Sequence, residues 1–320
     1  MTQDFTFRLL NDFQRDFPLC PKPYAVLAQQ LGQSEAAVIE TLQSLQDDGR
    51  VSRIGAVLRP GCFGVSTLVA MAVPVERLQE VALLVNTFPG VNHNYQREHE
   101  FNLWFVLTAG DAPALARSLR QIEAQSALPT LSLPMEKAYH IDLGFPLQGG
   151  AVRRHNNLPA APQSLSSEQK AILARVQEGI PLLSEPYRSM AEDVGVTQSV
   201  FVQQLENWLQ AGAISRWGVV VRHRELGFAA NAMLVHDIPD QAVDRIAAAL
   251  AEEDAVTLCY RRPRHLPNWP YNLFCMIHGQ CRSKVEATIA HLRERHALGD
   301  TAHAVLFSQR CFKQTGARYV

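Results

Sequence analysis

The residues richest in chemical potential form one seven-residue run, His93-Asn94-Tyr95-Gln96-Arg97-Glu98-His99. In an extended strand, side chains two apart share a face, so His93, Tyr95 and Arg97 fall on one side. The next run puts Phe101, Leu103, Phe105 and Leu107 on one face and Asn102, Trp104 and Val106 on the other. A sheet built only for packing would carry apolar residues where His93 and Arg97 stand. Arginine suits carboxylates, and histidine suits proton donation or metal ligation. The strand therefore reads as a pocket floor, with His99 in a hairpin turn near its mouth.

A second concentration of chemistry lies near the C-terminus. Residues 256–320 hold ten Lys and Arg against three acids, together with five histidines. Such an excess in a chain of net charge −1 points to a polyanionic ligand. Arg261, Arg262, Arg264 and His265 crowd one loop, which Pro263, Pro267, Trp269 and Pro270 stiffen. His278, Arg310 and Lys313 follow.

Other chemistries find no foothold. There is no G-x-S-x-G elbow, no Walker-type loop and no G-x-G-x-x-G after a strand. The six cysteines form no C-x-x-C pair, and no His/Cys cluster has metal-ligand spacing. The protein is expected to have no metal site of its own. No apolar run reaches the roughly 18–20 residues of a membrane span, and the N-terminus lacks the order of a signal peptide. A cytoplasmic location is the expectation.

These residues sit in an internal repeat. Tyr187 lies 163 residues after Tyr24, as Gly212 does after Gly49 and Gly227 after Gly64. Pro-Tyr, Ser-Arg and Gly-x-Val-x-Arg recur in the same register, so the chain is two tandem copies of one unit. Each copy opens on a helix pair. Ser34 caps a stripe of Val38, Leu42 and Leu45 that ends at Gly49; Thr197 caps Phe201, Leu205 and Trp208, ending at Gly212. A strand or wing follows each, at 53–59 and 216–222.

The second half of each copy reads strand, helix, strand, strand, helix, strand. In copy one these are 67–73, 75–87, 91–97, 101–108, 113–125 and 131–141. In copy two they are 229–235, 241–252, 256–262, 271–277, 281–295 and 303–313. That order is a ferredoxin-like α+β sandwich. The domain expectation is a winged helix-turn-helix at 1–60, a ferredoxin-like domain at 61–147, a linker at 148–165, then the same two units at 166–223 and 224–320. His93 is answered by Leu258, so the copies are specialised. One division gives copy one the proton chemistry and copy two the anion clamps; the opposite division is also open.

A winged helix invites a DNA-binding reading, but the charges oppose it. The helix 34–48 carries Glu35, Glu40, Asp47 and Asp48 and no basic residue, and 197–211 carries only Glu206. Phosphate contacts dominate nucleic-acid affinity and need Lys or Arg.

The strings His93-x-Tyr95-x-Arg97-Glu98-His99-x-x-Asn102-Leu103-Trp104-Phe105 and Cys259-Tyr260-Arg261-Arg262-Pro263, with 269–279 following, resemble the siroheme decarboxylases in the form where two related subunits are fused. The wider plan resembles the Lrp/AsnC transcription factors, whose ligand-responsive regulation is the alternative function. The resemblance implies loss of the carboxyls of the C12 and C18 acetates of siroheme, giving didecarboxysiroheme for heme d1 or an alternative heme route. It implies no cofactor beyond the substrate's iron. Homologous decarboxylase subunits or a homo-oligomer are the expected protein partners; DNA and membrane are not. His93, His99 and Tyr95 become the catalytic candidates, with His93 or His99 as proton donor or axial iron ligand. Arg97, Trp104, Arg261, Arg262, Arg264, His265, His278, Arg310 and Lys313 become the substrate-binding candidates. One principal site is expected in copy one, walled by copy two.

Overall fold

The computed structural model describes residues 4–141, 161–222 and 230–320. The linker expected at 148–165 lies outside them up to residue 160. In chain order copy one contains α1 (Phe5–Asp12), α2 (Pro23–Leu31), α3 (Glu35–Asp47), β1 (Val51–Leu58), β2 (Val65–Met71), α4 (Leu78–Asn86), β3 (Val91–Arg97), β4 (Leu103–Ala109), α5 (Ala112–Ser126), β5 (Leu131–Pro134) and β6 (Lys137–Ile141). Copy two contains α6 (Ser167–Glu178), α7 (Pro186–Val194), α8 (Gln198–Gln210), β7 (Ile214–Val221), β8 (Ala230–His236), α9 (Val243–Ala251), β9 (Val256–Arg261), β10 (Leu273–Gly279), α10 (Arg282–Arg295) and β11 (His303–Gln314). No helix among the described residues is long and apolar enough to cross a membrane.

The helix boundaries follow local chemistry. Ser34 Oγ accepts from Ala37 N at 3.1 Å and Thr197 Oγ1 from Val200 N at 3.3 Å, satisfying first-turn donors. Gly32 ends α2 and Gly195 ends α7 in the left-handed region, at φ 66° and 76°. The apolar stripes of α3 and α8 are buried as their spacing requires.

The two helical units share one core, built from Leu9, Tyr24, Leu42, Leu173, Tyr187, Phe201 and Trp208 among others. Their wings pair with each other: β1 and β7 run antiparallel, with Gly55 opposite Gly218. The repeated Pro-Tyr motif explains itself here. Tyr24 donates its hydroxyl to Pro181 O at 3.0 Å, and Tyr187 donates to Pro18 O at 2.8 Å. Each copy's tyrosine therefore locks onto the other copy.

The ferredoxin-like halves join into a nine-stranded sheet in the order β5-β2-β4-β3-β11-β8-β10-β9-β6. The strand expected at 131–141 is divided: β5 pairs with β2, then the chain bends through Met135-Glu136 and β6 pairs with β9 of copy two. β11 does the reciprocal: residues 303–307 pair with β8, and 308–314 pair with β3 of copy one. Both ends of the sheet thus belong to one chain stretch, and the sheet wraps an apolar core drawn from both copies, including Trp104, Leu133, Trp269, Phe274 and Leu306. The helices cover the outer face through two further cores.

Candidate functional site

β3 is the edge strand of copy one's part of the sheet and pairs with β11 of copy two at the joint between copies. Antiparallel partners place side chains on a shared face, so His93, Tyr95 and Arg97 stand with Val106 and Trp104 of β4 on the inner side. Asn94 faces outward, donating to Ala82 O and Asn86 Oδ1. The His93 and Tyr95 rings lie stacked at 6.4 Å between centroids.

His93 is held in one tautomer. Its Nδ1 lies 2.6 Å from Asn92 Oδ1, an acceptor, so Nδ1 carries the proton and Nε2 keeps its lone pair. Burial, with the nearby charge of Arg53, pushes its pKa down to about 4, and the ring is neutral at neutral pH. Arg53 comes from β1, in the wing of copy one. The C-terminal tail of copy two closes the same place: Thr315 N donates to Asn92 O at 2.7 Å, and Thr108 Oγ1 donates to Arg318 O at 2.6 Å.

His99 is held in the opposite tautomer. Its Nδ1 accepts from Phe101 N at 3.0 Å, which leaves the proton on Nε2. The ring stacks on Phe101 and meets the edge of Trp269, from copy two, at 5.5 Å. Burial lowers its pKa also. The two histidines stand at opposite ends of β3, whose stretch from 93 to 97 spans about 13 Å.

Arg97 and Arg262 are twins with a structural task. Arg97 is buried and donates to Leu306 O at 3.0 Å, with Tyr95 beneath its guanidinium at 5.9 Å. Arg262 is buried, donates to Leu133 O and lies over Tyr260 at 4.6 Å. Leu306 and Leu133 sit just before the points where β11 and the β5–β6 stretch cross from one copy to the other. Each arginine ties down the other copy's crossing strand.

The remaining candidates are dispersed. Arg261 is paired with Glu136 at 2.9 Å and Asp240 at 3.1 Å; Arg264 is paired with Asp237 at 2.7 Å and Asp240 at 2.9 Å. The hollow they line measures about 190 Å³, smaller than the roughly 300–1,000 Å³ of ordinary ligand sites. His265 is exposed and pairs through its backbone with Trp269. His278 Nδ1 lies 2.9 Å from Thr257 Oγ1 in copy two. Trp104 is buried, donating to Phe101 O at 2.6 Å. Arg310 is exposed and donates to Gln79 Oε1 at 3.1 Å. Lys313 Nζ donates to Asn86 O at 2.9 Å, at the end of α4. Burial and Arg318 lower its pKa.

Arg53 was not among the sequence candidates. Its signal was present in the repeated Ser52-Arg53 and Ser215-Arg216 pairs, an arginine set in an apolar wing. Nothing in the sequence brings residue 53 to residue 93. Among the described residues no three His, Cys, Asp or Glu side chains are grouped to hold a metal ion.

Comparison with known proteins bears on this geometry. Residues 7–51 and 169–214 match the siroheme decarboxylase NirDL-like HTH domain, and 62–140 and 225–313 match the AsnC-like ligand binding domain. The siroheme decarboxylase NirDL subunit of Paracoccus denitrificans is 44% identical over 315 residues, 98% of this chain and 97% of its own. The chain belongs to the siroheme decarboxylase family. The family also has members of half this length: the NirD subunit of Pseudomonas aeruginosa is 54% identical over 145 residues, 45% of this chain and 97% of its own. That relation fits the tandem repeat, one copy per subunit. The crystal structure of the siroheme decarboxylase NirDL in co-complex with an iron-uroporphyrin III analogue has a TM-score of 0.71 and 28% identity, covering 99% of this chain and 93% of that one. The winged helix plus AsnC-like plan, repeated twice, is therefore the fold of this decarboxylase family.

Proposed function

We propose that the chain is a carboxy-lyase that removes the C12 and C18 acetate carboxyls of siroheme, leaving methyl groups, in heme d1 synthesis in the cytoplasm. The observation that carries this reading is the pair of histidines held in opposite tautomers towards the two ends of one strand, His93 near Arg53, a cation with no acid partner among the described residues. A tetrapyrrole fringed with carboxylates matches that charge, and its iron needs a neutral imidazole.

The roles follow from the tautomers. His93 offers the Nε2 lone pair and is the axial ligand to the substrate's iron. Asn92 orients it through Nδ1. In the reaction the bond to the carboxyl carbon breaks, carbon dioxide leaves, and the electron pair stays on the side-chain carbon in conjugation with the ring. A proton then closes the step. His99, with its proton on Nε2 beyond the other end of β3, donates it. His99 is uncharged in the free protein; an arriving carboxylate raises its proton affinity, and the second proton takes the Nδ1 lone pair in place of the Phe101 N–H, so the substrate helps to charge its own acid. Tyr95, between them, packs beside the His93 ring.

A DNA-reading role has the charges of α3 against it: Glu35, Glu40 and Asp47 with no Lys or Arg. The wings, which would flank a duplex, are spent on each other. Pairing that separate subunits would supply is already made within the chain.

Two variants test the division of labour. His93→Ala should lose the axial-ligand absorbance of the bound tetrapyrrole, while His99→Ala should bind with that signature and fail to turn over. If both keep near wild-type rates, the assignment is wrong.

A further inference from the structure

We infer that Arg53, in the wing of copy one, is a carboxylate-binding residue of the tetrapyrrole site. The inference rests on the proposed substrate class and adds a residue from the helical domain to the site. Arg53 Nη2 donates to Ala56 O at 2.7 Å, and Nε is buried with no partner. Among the described residues no carboxylate pairs with it. An enclosed charge without a counter-ion is costly unless something offsets it.

The setting is a slot made by copy two. A Cβ on Gly179 would meet the Arg53 stem, at 3.4 Å from Cβ and 3.6 Å from Cδ. A Cβ on Gly316 would meet the guanidinium carbon at 2.9 Å. Two residues without side chains therefore let the arginine pass between the helical body and the C-terminal tail. The next residue of that tail toward β11, Thr315, bonds the backbone of Asn92, next to His93. The guanidinium stays charged at neutral pH, although burial lowers its pKa to about 10.

Three comparisons within the molecule sharpen the assignment. The repeat counterpart Arg216 is also buried, and it donates to a side chain, Gln14 Oε1 at 3.2 Å, where Arg53 donates to a backbone carbonyl. Arg97 and Arg262 lie over aromatic rings and hold crossing strands. Arg261 and Arg264 are neutralised by Glu136, Asp237 and Asp240. Arg53, by contrast, stands near His93 with no carboxylate partner among the described residues.

The test is an absorbance titration of the full chain with two probes. Iron uroporphyrin carries carboxylates; iron octaethylporphyrin, in dilute detergent, carries none. Arg53→Met should weaken iron uroporphyrin about 10- to 100-fold, the loss of one charge-assisted contact, and leave iron octaethylporphyrin unchanged. Arg216→Met should change neither. The melting temperature of ligand-free Arg53→Met should not fall, because an unpaired buried charge has been removed. Unchanged iron uroporphyrin affinity overturns the assignment. Equal weakening of both probes with a lowered melting temperature also overturns it, in favour of a structural role. If the methionine variant does not fold, Arg53→Lys, which keeps the charge without the planar fork, should show the same selective loss. A wild-type chain that binds iron uroporphyrin but leaves siroheme unchanged would sink the decarboxylase reading and leave this test standing. Wild-type turnover with a normal Arg53→Met titration would sink Arg53 alone.

Discussion

Protons and iron compete for the same nitrogen of His93, and the structure sets the terms. Burial and Arg53 hold its pKa at about 4, well below the ordinary value of 6.5. Lowering the pH from 7 to 5 would protonate an ordinary imidazole and weaken its iron bond about 25-fold, whereas a group at about pH 4 loses only about 10%. The sign is fixed: a depressed histidine pKa extends ligation toward acid and removes it only below about pH 4. The assay is an absorbance titration with ferric uroporphyrin at pH 7 and pH 5, for the wild type and His93→Ala. The ratio of the two affinities at each pH cancels protonation of the tetrapyrrole's own carboxyls. That ratio should be nearly constant between the two pH values. A fall of about 25-fold would show an ordinary, solvated imidazole and refute the enclosed, neutral ligand.

Three further outcomes follow from the packing. Arg97→Met should lower stability by about 1–3 kcal/mol in urea melts, because Leu306 O loses its donor, and leave tetrapyrrole affinity intact; wild-type stability with weakened affinity would restore Arg97 as a substrate clamp. Tyr24→Phe should cost about 1 kcal/mol and Tyr187→Phe more, because the Tyr187 hydroxyl also accepts from Trp217 Nε1 at 3.1 Å; a double variant as stable as the wild type would show these bonds to be idle. His236 is buried with both ring nitrogens unpartnered, and burial pushes its pKa down to about 3. The unfolded chain takes up a proton below about pH 6.5 that the folded chain refuses, so stability is lost as pH falls; His236→Leu should remove about 3 kcal/mol of the wild-type loss between pH 7 and pH 4. Parallel losses in both proteins would contradict it.

The repeat was legible because duplicated spacing survives in the sequence, and the ferredoxin-like order was legible because alternating and helical periods follow one another. What the chain does with its fourth strands was not. Residues 131–141 show one continuous strand pattern, yet the partners of β5 and β6 lie in different copies. Register against a distant strand leaves no local mark. The same limit hides the acid partners of the candidate clamps. Arg261 and Arg264 look like free cations in sequence because Glu136, Asp237 and Asp240 come from other segments. Arg53 carries no such mark in the sequence, because its relation to His93 exists only once the wing, β3 and the C-terminal tail are packed together. β3 itself is legible in the sequence with its observed bounds, and its parity puts His93 and Tyr95 side by side.

The central claim is that this chain decarboxylates siroheme. Anaerobic incubation of the purified protein with siroheme, followed by mass spectrometry of the tetrapyrrole, tests it directly. Stepwise loss of two carbon dioxide units, through a singly decarboxylated intermediate, is the expected result. Siroheme that binds and is recovered unchanged would contradict the claim.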